Sequence, residues 1–122
     1  MGERWIAEAE QLTPSGAPGT MSGVGPARAI CHATVSRPGS FDAMHRVLTD
    51  KQGEPHLLYD WATDRLGQYF PLDRSARALK RGARDVSCNK VGTVCIQIEF
   101  CAMPDGFTRY WTPGPNFRAL MR

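Results

Sequence analysis

No apolar run in this chain approaches the roughly 18 residues of a membrane span. The opening Met1-Gly-Glu-Arg-Trp-Ile6 has no apolar h-region, so no secretory signal is expected. Cysteine is sparse. Cys31, Cys88, Cys95 and Cys101 form no C-x-x-C pair and are too few for a disulfide scaffold. Their neighbours are apolar or strand-like, which suits buried thiols in a reducing cytosol. Histidine is sparser still, with only His32, His45 and His56, and no H-E-x-x-H. A Gly-x-Ser-x-Gly elbow, a cysteine-protease signature and a Gly-rich phosphate loop between strand and helix are also missing. There are no repeats and no low-complexity tracts. Neither sign of charge dominates: the net charge is +3, which suits an anionic partner such as a cell wall or nucleic acid without selecting either.

What is present fits one soluble domain. The chain has 122 residues, enough to bury one modest core. Its most strand-like run is Val91 to Cys101. Val94, Ile96, Ile98 and Phe100 share one face at period two, while Cys95, Gln97, Glu99 and Cys101 share the other. The β-branched face is the one expected to pack on a helix. Glu99 is out of place in such a strand. A buried, ionised and unpaired carboxylate costs several kcal/mol, roughly, so it needs a cation, a metal, a hydrogen-bonding network or an opening to solvent.

The remaining elements are read in order. Trp5 to Leu12 is compatible with a helical turn. The stretch 13–26 holds four glycines and three prolines and reads as an irregular arm. Ala27 to Val35 forms a short strand with Ile30, His32 and Thr34 on one face. Ser40 caps a helix carrying Phe41, Met44, Val47 and Leu48 at helical spacing, with Asp42 in the first turn. His56 to Trp61 and Gln68 to Phe70 make a hairpin across a turn at 62–67. Ser75 to Arg81 is a short basic helix. Tyr110 to Pro115 is a loop, and Asn116 opens a last helix. Strands alternating with helices predict an α/β layer on a mixed sheet.

Few residues are suited to chemistry. His32 stands late in its strand, either as a hydrogen-bonded framework residue or as a ligand. His45 lies on the flank of the helix stripe. His56 begins a strand and fits either role. Six of the 15 Lys and Arg fall between 74 and 90: Arg74, Arg77, Lys80, Arg81, Arg84 and Lys90. They form either a solvated face or a polyanion site. Tyr110 and Trp111 offer flat surfaces for sugar or peptide, or anchor a loop.

Several segments together resemble a known family. Arg28-Ala-Ile-Cys-His-Ala-Thr34, Pro55-His-Leu-Leu-Tyr-Asp-Trp61 with Gly67-Gln-Tyr-Phe-Pro-Leu72, and Asn89-Lys-Val-Gly-Thr-Val-Cys-Ile-Gln-Ile-Glu99 look like the zinc-dependent N-acetylmuramoyl-L-alanine amidases. That fold is shared with peptidoglycan recognition proteins. The Trp-led arm and Leu72 to Leu79 are similar to actinobacterial and actinophage endolysin amidases in particular. The resemblance implies a mixed central sheet flanked by helices and a hydrolase that cuts the bond between N-acetylmuramic acid and L-alanine with a zinc-activated water. It implies His32 as a zinc ligand, Glu99 as the catalytic acid–base, and Thr34, His56, Asn89, Tyr110 and Trp111 as substrate-binding residues. It implies a phage, prophage or bacterial enzyme made in the cytoplasm and acting on the cell wall after release.

This sequence departs from the family's pattern in two places. Pro55 stands where some relatives carry a Tyr. The later His and the Asp or Cys that complete the zinc site have no match before Arg122. The expectation is therefore an arm at 1–26 and, at 27–122, the N-terminal two-thirds of an amidase domain. An isolated chain with such a site would be inactive and prone to self-associate through an uncovered sheet face, with apolar surface exposed on Ile96, Ile98 or the start of the last helix. Peptidoglycan is the expected partner, with no nucleic acid and no membrane span. Two other classes compete: a non-catalytic peptidoglycan-binding module and a small basic nucleic-acid-binding domain.

Overall fold

The computed structural model describes residues 5–21, 28–33, 39–78, 91–92, 95–101 and 115. Its elements are β1 (Glu10–Gln11), β2 (Gly19–Met21), β3 (Arg28–Ala33), α1 (Phe41–Asp50), β4 (Leu57–Asp60), β5 (Arg65–Gln68), β6 (Arg74–Ser75), β7 (Val91–Gly92) and β8 (Cys95–Phe100). Five strands form one mixed sheet in the order β1-β5-β4-β8-β3, and three form a smaller one in the order β6-β2-β7. β3, β8 and β4 run parallel, β5 returns antiparallel to β4, and β1 lies parallel to β5. Among the described residues this is an α/β arrangement with one long helix. The hairpin expected around 56–70 forms, with a tighter turn at 61–64.

The connection β3–α1–β4 joins parallel strands and skips over β8 between them. Such a crossover needs a helix to cover a sheet face. α1 forms because Phe41, Met44 and Leu48 recur every three to four residues. Phe41 and Leu48 are buried with Leu58, Tyr69, Phe70, Ala76 and Cys101, while Leu12 and Met44 pack at the edge. Burying each large side chain contributes about 1.5–3 kcal/mol. Ser40 precedes the helix but makes no side-chain capping bond. The far end closes tightly: Gln52 N–H donates to the Thr49 carbonyl at 3.1 Å and Gly53 N–H to the Leu48 carbonyl at 3.1 Å. That pattern needs a left-handed residue, and Gln52 supplies it with φ of 56°.

The second core lies on the opposite face. Leu57, Tyr59, Leu66, Ile98 and Phe100 are buried there, with Ile6, Ala9, Trp61, Leu72 and Ile96 packed against them. Two expectations are corrected by this layout. α1 covers the face of Leu58, Glu99 and Cys101, not the β-branched face of the central strand. Ile98 is buried rather than left exposed for self-association, as part of the cluster against which Ile6, Ala9 and Leu72 pack.

The arm is more structured than its composition predicts. Residues 5–12 do not form a helical turn that runs on to Leu12. A turn closed by Ala9 N–H to the Ile6 carbonyl leads directly into β1. Gln68 decides this: its side-chain Oε1 accepts Ile6 N–H at 2.8 Å and its carbonyl accepts Leu12 N–H at 2.9 Å. β2 then pairs with both β6 and β7. The basic helix expected from Ser75 is also absent over 75–78. Ser75 pairs with Gly19, and Arg77 N–H donates to the Glu54 carbonyl at 2.8 Å, so the backbone bonds outward. Residues 79–90 and the last helix expected from Asn116 lie outside the described residues.

Candidate functional site

β3 and β8 pair in parallel with His32 opposite Glu99. Partners in a ladder lie on the same face, and neighbouring strands stand about 4.8 Å apart. Leu58 is the next residue in that row, across β8 on β4. His32 and Glu99 are each the penultimate residue of their strands, so they stand at the carboxyl ends of parallel strands. In open α/β sheets that end is where ligands bind. Both side chains are partly exposed, so solvent reaches the pair.

Burial sets the charge state of each. It pushes the His32 imidazole below its ordinary value, so the ring is neutral at pH 7. His32 Nε2 is buried with no hydrogen-bond partner. Burial pushes the Glu99 carboxyl up to about 7, against the pull of Lys51, the residue that ends α1. A carboxyl titrating near neutrality both takes and gives a proton there.

Cys101 and Asp60 continue the same face. Cys101 is wholly buried, and its thiol is pushed up to about 12 by burial first and by Asp60 next, while a hydrogen bond from Ser40 pulls the other way. The thiol is therefore not a nucleophile at neutral pH. Asp60 Oδ1 accepts the N–H groups of Gly39 and Ala62, each at 3.0 Å, and so holds the entry to α1 beside the end of β4. Its Oδ2 is buried without a partner. Cys31 points to the other face and is exposed.

His56 departs from its expected role in substrate binding. It is wholly buried. Its Nε2–H donates to the Arg74 carbonyl at 2.5 Å, and its Nδ1 accepts Gln97 N–H at 3.0 Å. Neither ring nitrogen is left for a ligand, and His56 instead joins β4, β6 and β8. His45 is likewise engaged, with Nδ1 2.7 Å from the Tyr69 hydroxyl. Thr34, Asn89, Tyr110 and Trp111 lie outside the described residues.

Of the basic cluster, Arg74 and Arg77 are described. Arg74 Nε donates to the Gly19 carbonyl at 3.0 Å. Arg77 stands 3.9 Å from buried Glu54 and donates to Ser15 Oγ at 3.2 Å. Both hold the arm in place. Sequence reasoning passed over Gln97, whose backbone and side chain bind His56 and Ala78. It also passed over Glu54 and Asp60. A carboxylate beside Pro55 and another at a strand end were the available signals.

Among the described residues no three His, Cys, Asp or Glu side chains are grouped to hold a metal. His32 pairs with Glu99 across β3 and β8, and the neutral imidazole of His32 leaves Nε2 without a hydrogen-bond partner. Family models, curated proteins and solved structures give no match to this chain.

Proposed function

We propose that the chain belongs to a peptidoglycan amide hydrolase of the N-acetylmuramoyl-L-alanine amidase kind, with His32 as a zinc ligand and Glu99 as the proton carrier. The observation that carries this reading is the in-register pairing of His32 with Glu99 at the carboxyl ends of β3 and β8. The unpartnered Nε2 supports it, because a buried imidazole nitrogen without a partner costs free energy unless a ligand takes it up. The resemblance of the segments around His32, His56 and Glu99 to that family supplies the substrate.

Hydrolysis adds a water oxygen to the amide carbon and breaks the carbon–nitrogen bond. Glu99 in its carboxylate form takes the water proton, and in its acid form gives it to the leaving nitrogen. A pKa near 7 makes both halves accessible at one pH. The leaving amine is the L-alanine nitrogen, and the acid formed is the lactyl carboxylate of muramic acid. Zinc, when bound, would supply Lewis acidity to the carbonyl. His32 Nε2 would be its ligand here, and the other ligands would come from outside the described residues. Solvent access at Glu99 lets water enter and the amine leave.

Purified peptidoglycan is incubated with a zinc-supplemented protein in which further segments complete the zinc site, and with the same protein after chelation. Release of free L-alanine amino termini, lost on chelation and absent in Glu99→Gln, is the expected result. Sedimentation with cell wall without any release would replace this reading with a binding module.

A further inference from the structure

The ring of His56 bridges the two sheets, and its pair of bonds needs the neutral form. Nδ1 accepts Gln97 N–H at 3.0 Å, and Nε2–H donates to the Arg74 carbonyl at 2.5 Å. Gln97 belongs to β8 in the main sheet and Arg74 to β6 in the small one. Two more bonds tie the residues after β6 to the main-sheet side. Arg77 N–H donates to the Glu54 carbonyl at 2.8 Å, and Ala78 N–H to Gln97 Oε1 at 2.9 Å. β6 and β2 hold each other without any of these, through their own pairing and through Arg74 Nε, which donates to the Gly19 carbonyl at 3.0 Å.

A proton on Nδ1 sets two donors against each other at the Gln97 contact. One side of the bridge has to give way. β8 is paired with β3 on one side and β4 on the other. β6 has two residues, and β2 is its one strand partner among the described residues. The contact that yields is therefore the one to Arg74. Charged and titratable groups on the neighbouring elements are engaged elsewhere or exposed. Glu54, ahead of β4, stands 3.9 Å from Arg77, and the Arg74 guanidinium donates to Gly19. The Tyr69 hydroxyl, after β5, meets His45, and Asp50 and Lys51 end α1 at the surface. On β8 the nearest acid is Glu99, two residues beyond Gln97. Burial of the ring opposes its charging, and the Arg74 carbonyl offsets part of this.

We propose that His56 is an acid-sensitive tether, which couples β6 and β2 to the main sheet when neutral and uncouples them when protonated. The His32–Glu99 row keeps its pairing in β3 and β8 in either state, so the tether is independent of the amide-hydrolase reading. The sign follows from linkage. Above the ordinary value of about 6.5, neither the closed nor the open form takes up the proton, and the tether is at full strength. Below it, the open form binds a proton that the closed ring resists, and the tether weakens until the closed ring itself titrates.

Native-state amide exchange of the full chain, corrected for intrinsic rates, is followed from about pH 7.5 to 5. The amides of Arg77 and Ala78 should open more readily than those of Leu58 and Ile98. Their opening constant should rise by about tenfold per pH unit below about 6.5. His56→Gln keeps an N–H for the Arg74 carbonyl and does not titrate, so in this variant the constant should stay level. One opening constant shared by all four amides at every pH, or an equal rise in His56→Gln, overturns the tether. Wild type alone decides the case if the variant does not fold. Its His56 ring and Ala78 amide resonances should shift with one midpoint, and separate midpoints overturn the coupling.

Discussion

At the scale of single residues, His56 shows how burial and hydrogen bonding fix a protonation state. Its Nδ1 accepts a backbone N–H and its Nε2–H donates to a carbonyl, so the neutral tautomer satisfies both. Protonation would set a second N–H against Gln97 N–H. Burial lowers the pKa, and the Arg74 carbonyl offsets only part of that. The sign follows from linkage. Above the unfolded value of about 6.5, neither state binds the proton and stability is complete. Below it, the unfolded chain takes up a proton that the folded ring resists, so stability falls until the folded pKa is reached. His56→Gln should flatten the loss of urea stability between pH 7.5 and 5 while lowering stability at all pH values. An unchanged slope would show that other groups govern the acid limb. His32 and His56 look alike in sequence, each before or within a short apolar run. Only the family resemblance named both as site residues. What separates them is whether a carbonyl and an N–H from distant strands reach the ring, and residue types at 32 and 56 carry no record of that.

At the scale of elements, the legible features are those written in local periodicity. α1 follows from Phe41, Met44 and Leu48, and the parity of β8 follows from alternation between Ile98 and Glu99. The illegible ones depend on partners far along the chain. Ser75 is a plausible helix residue until Gly19 pairs with it. Which sheet face α1 covers depends on topology, because Glu99 and Cys101 make their face look polar while Leu58 and Tyr69 make it apolar. Two substitutions test how well the elements are fitted. Gln52 holds a left-handed conformation that costs a non-glycine residue about 1 kcal/mol, so Gln52→Gly should raise stability by roughly that amount. A fall in the thermal midpoint would mean the glutamine side chain contributes more than the strain costs. Gly67 lies where β1, β5 and α1 converge. A Cβ there would come within 2.8 Å of Phe41 Cζ and closer still to Leu12. Gly67→Ala should therefore cost about 1–3 kcal/mol, the usual scale of overpacking. Paired with Leu12→Ala it should cost less than the two changes summed, since the smaller side chain makes room.

At the scale of the whole molecule, the arm decides whether the two sheets form one cooperative unit. Its composition argues for a loose leader, yet its backbone is bound at several points. Ile6 and Leu12 donate to Gln68, Ser15 N–H donates to the buried Glu54 carboxylate, and β2 is the middle strand of the small sheet. Glu54 is wholly buried and stands 3.9 Å from Arg77, so losing the Ser15 donor leaves a buried carboxylate less well solvated. The arm and the main sheet should then open together. Amide exchange of Ile6 and Leu12 should show the same opening free energy as Leu58 and Ile98 in the main sheet, the behaviour of one cooperative unit. Ser15→Pro removes the N–H and should lower that common value by about 1–3 kcal/mol, the cost of stripping a partner from a buried polar group. If Ile6 and Leu12 instead exchange rapidly while Leu58 and Ile98 stay protected, the arm is an appendage. β8 would then owe its placement to β3 and β4 alone. That outcome would also remove the arm as a support of the His32–Glu99 row, because β2 pairs with β7 just before β8 begins.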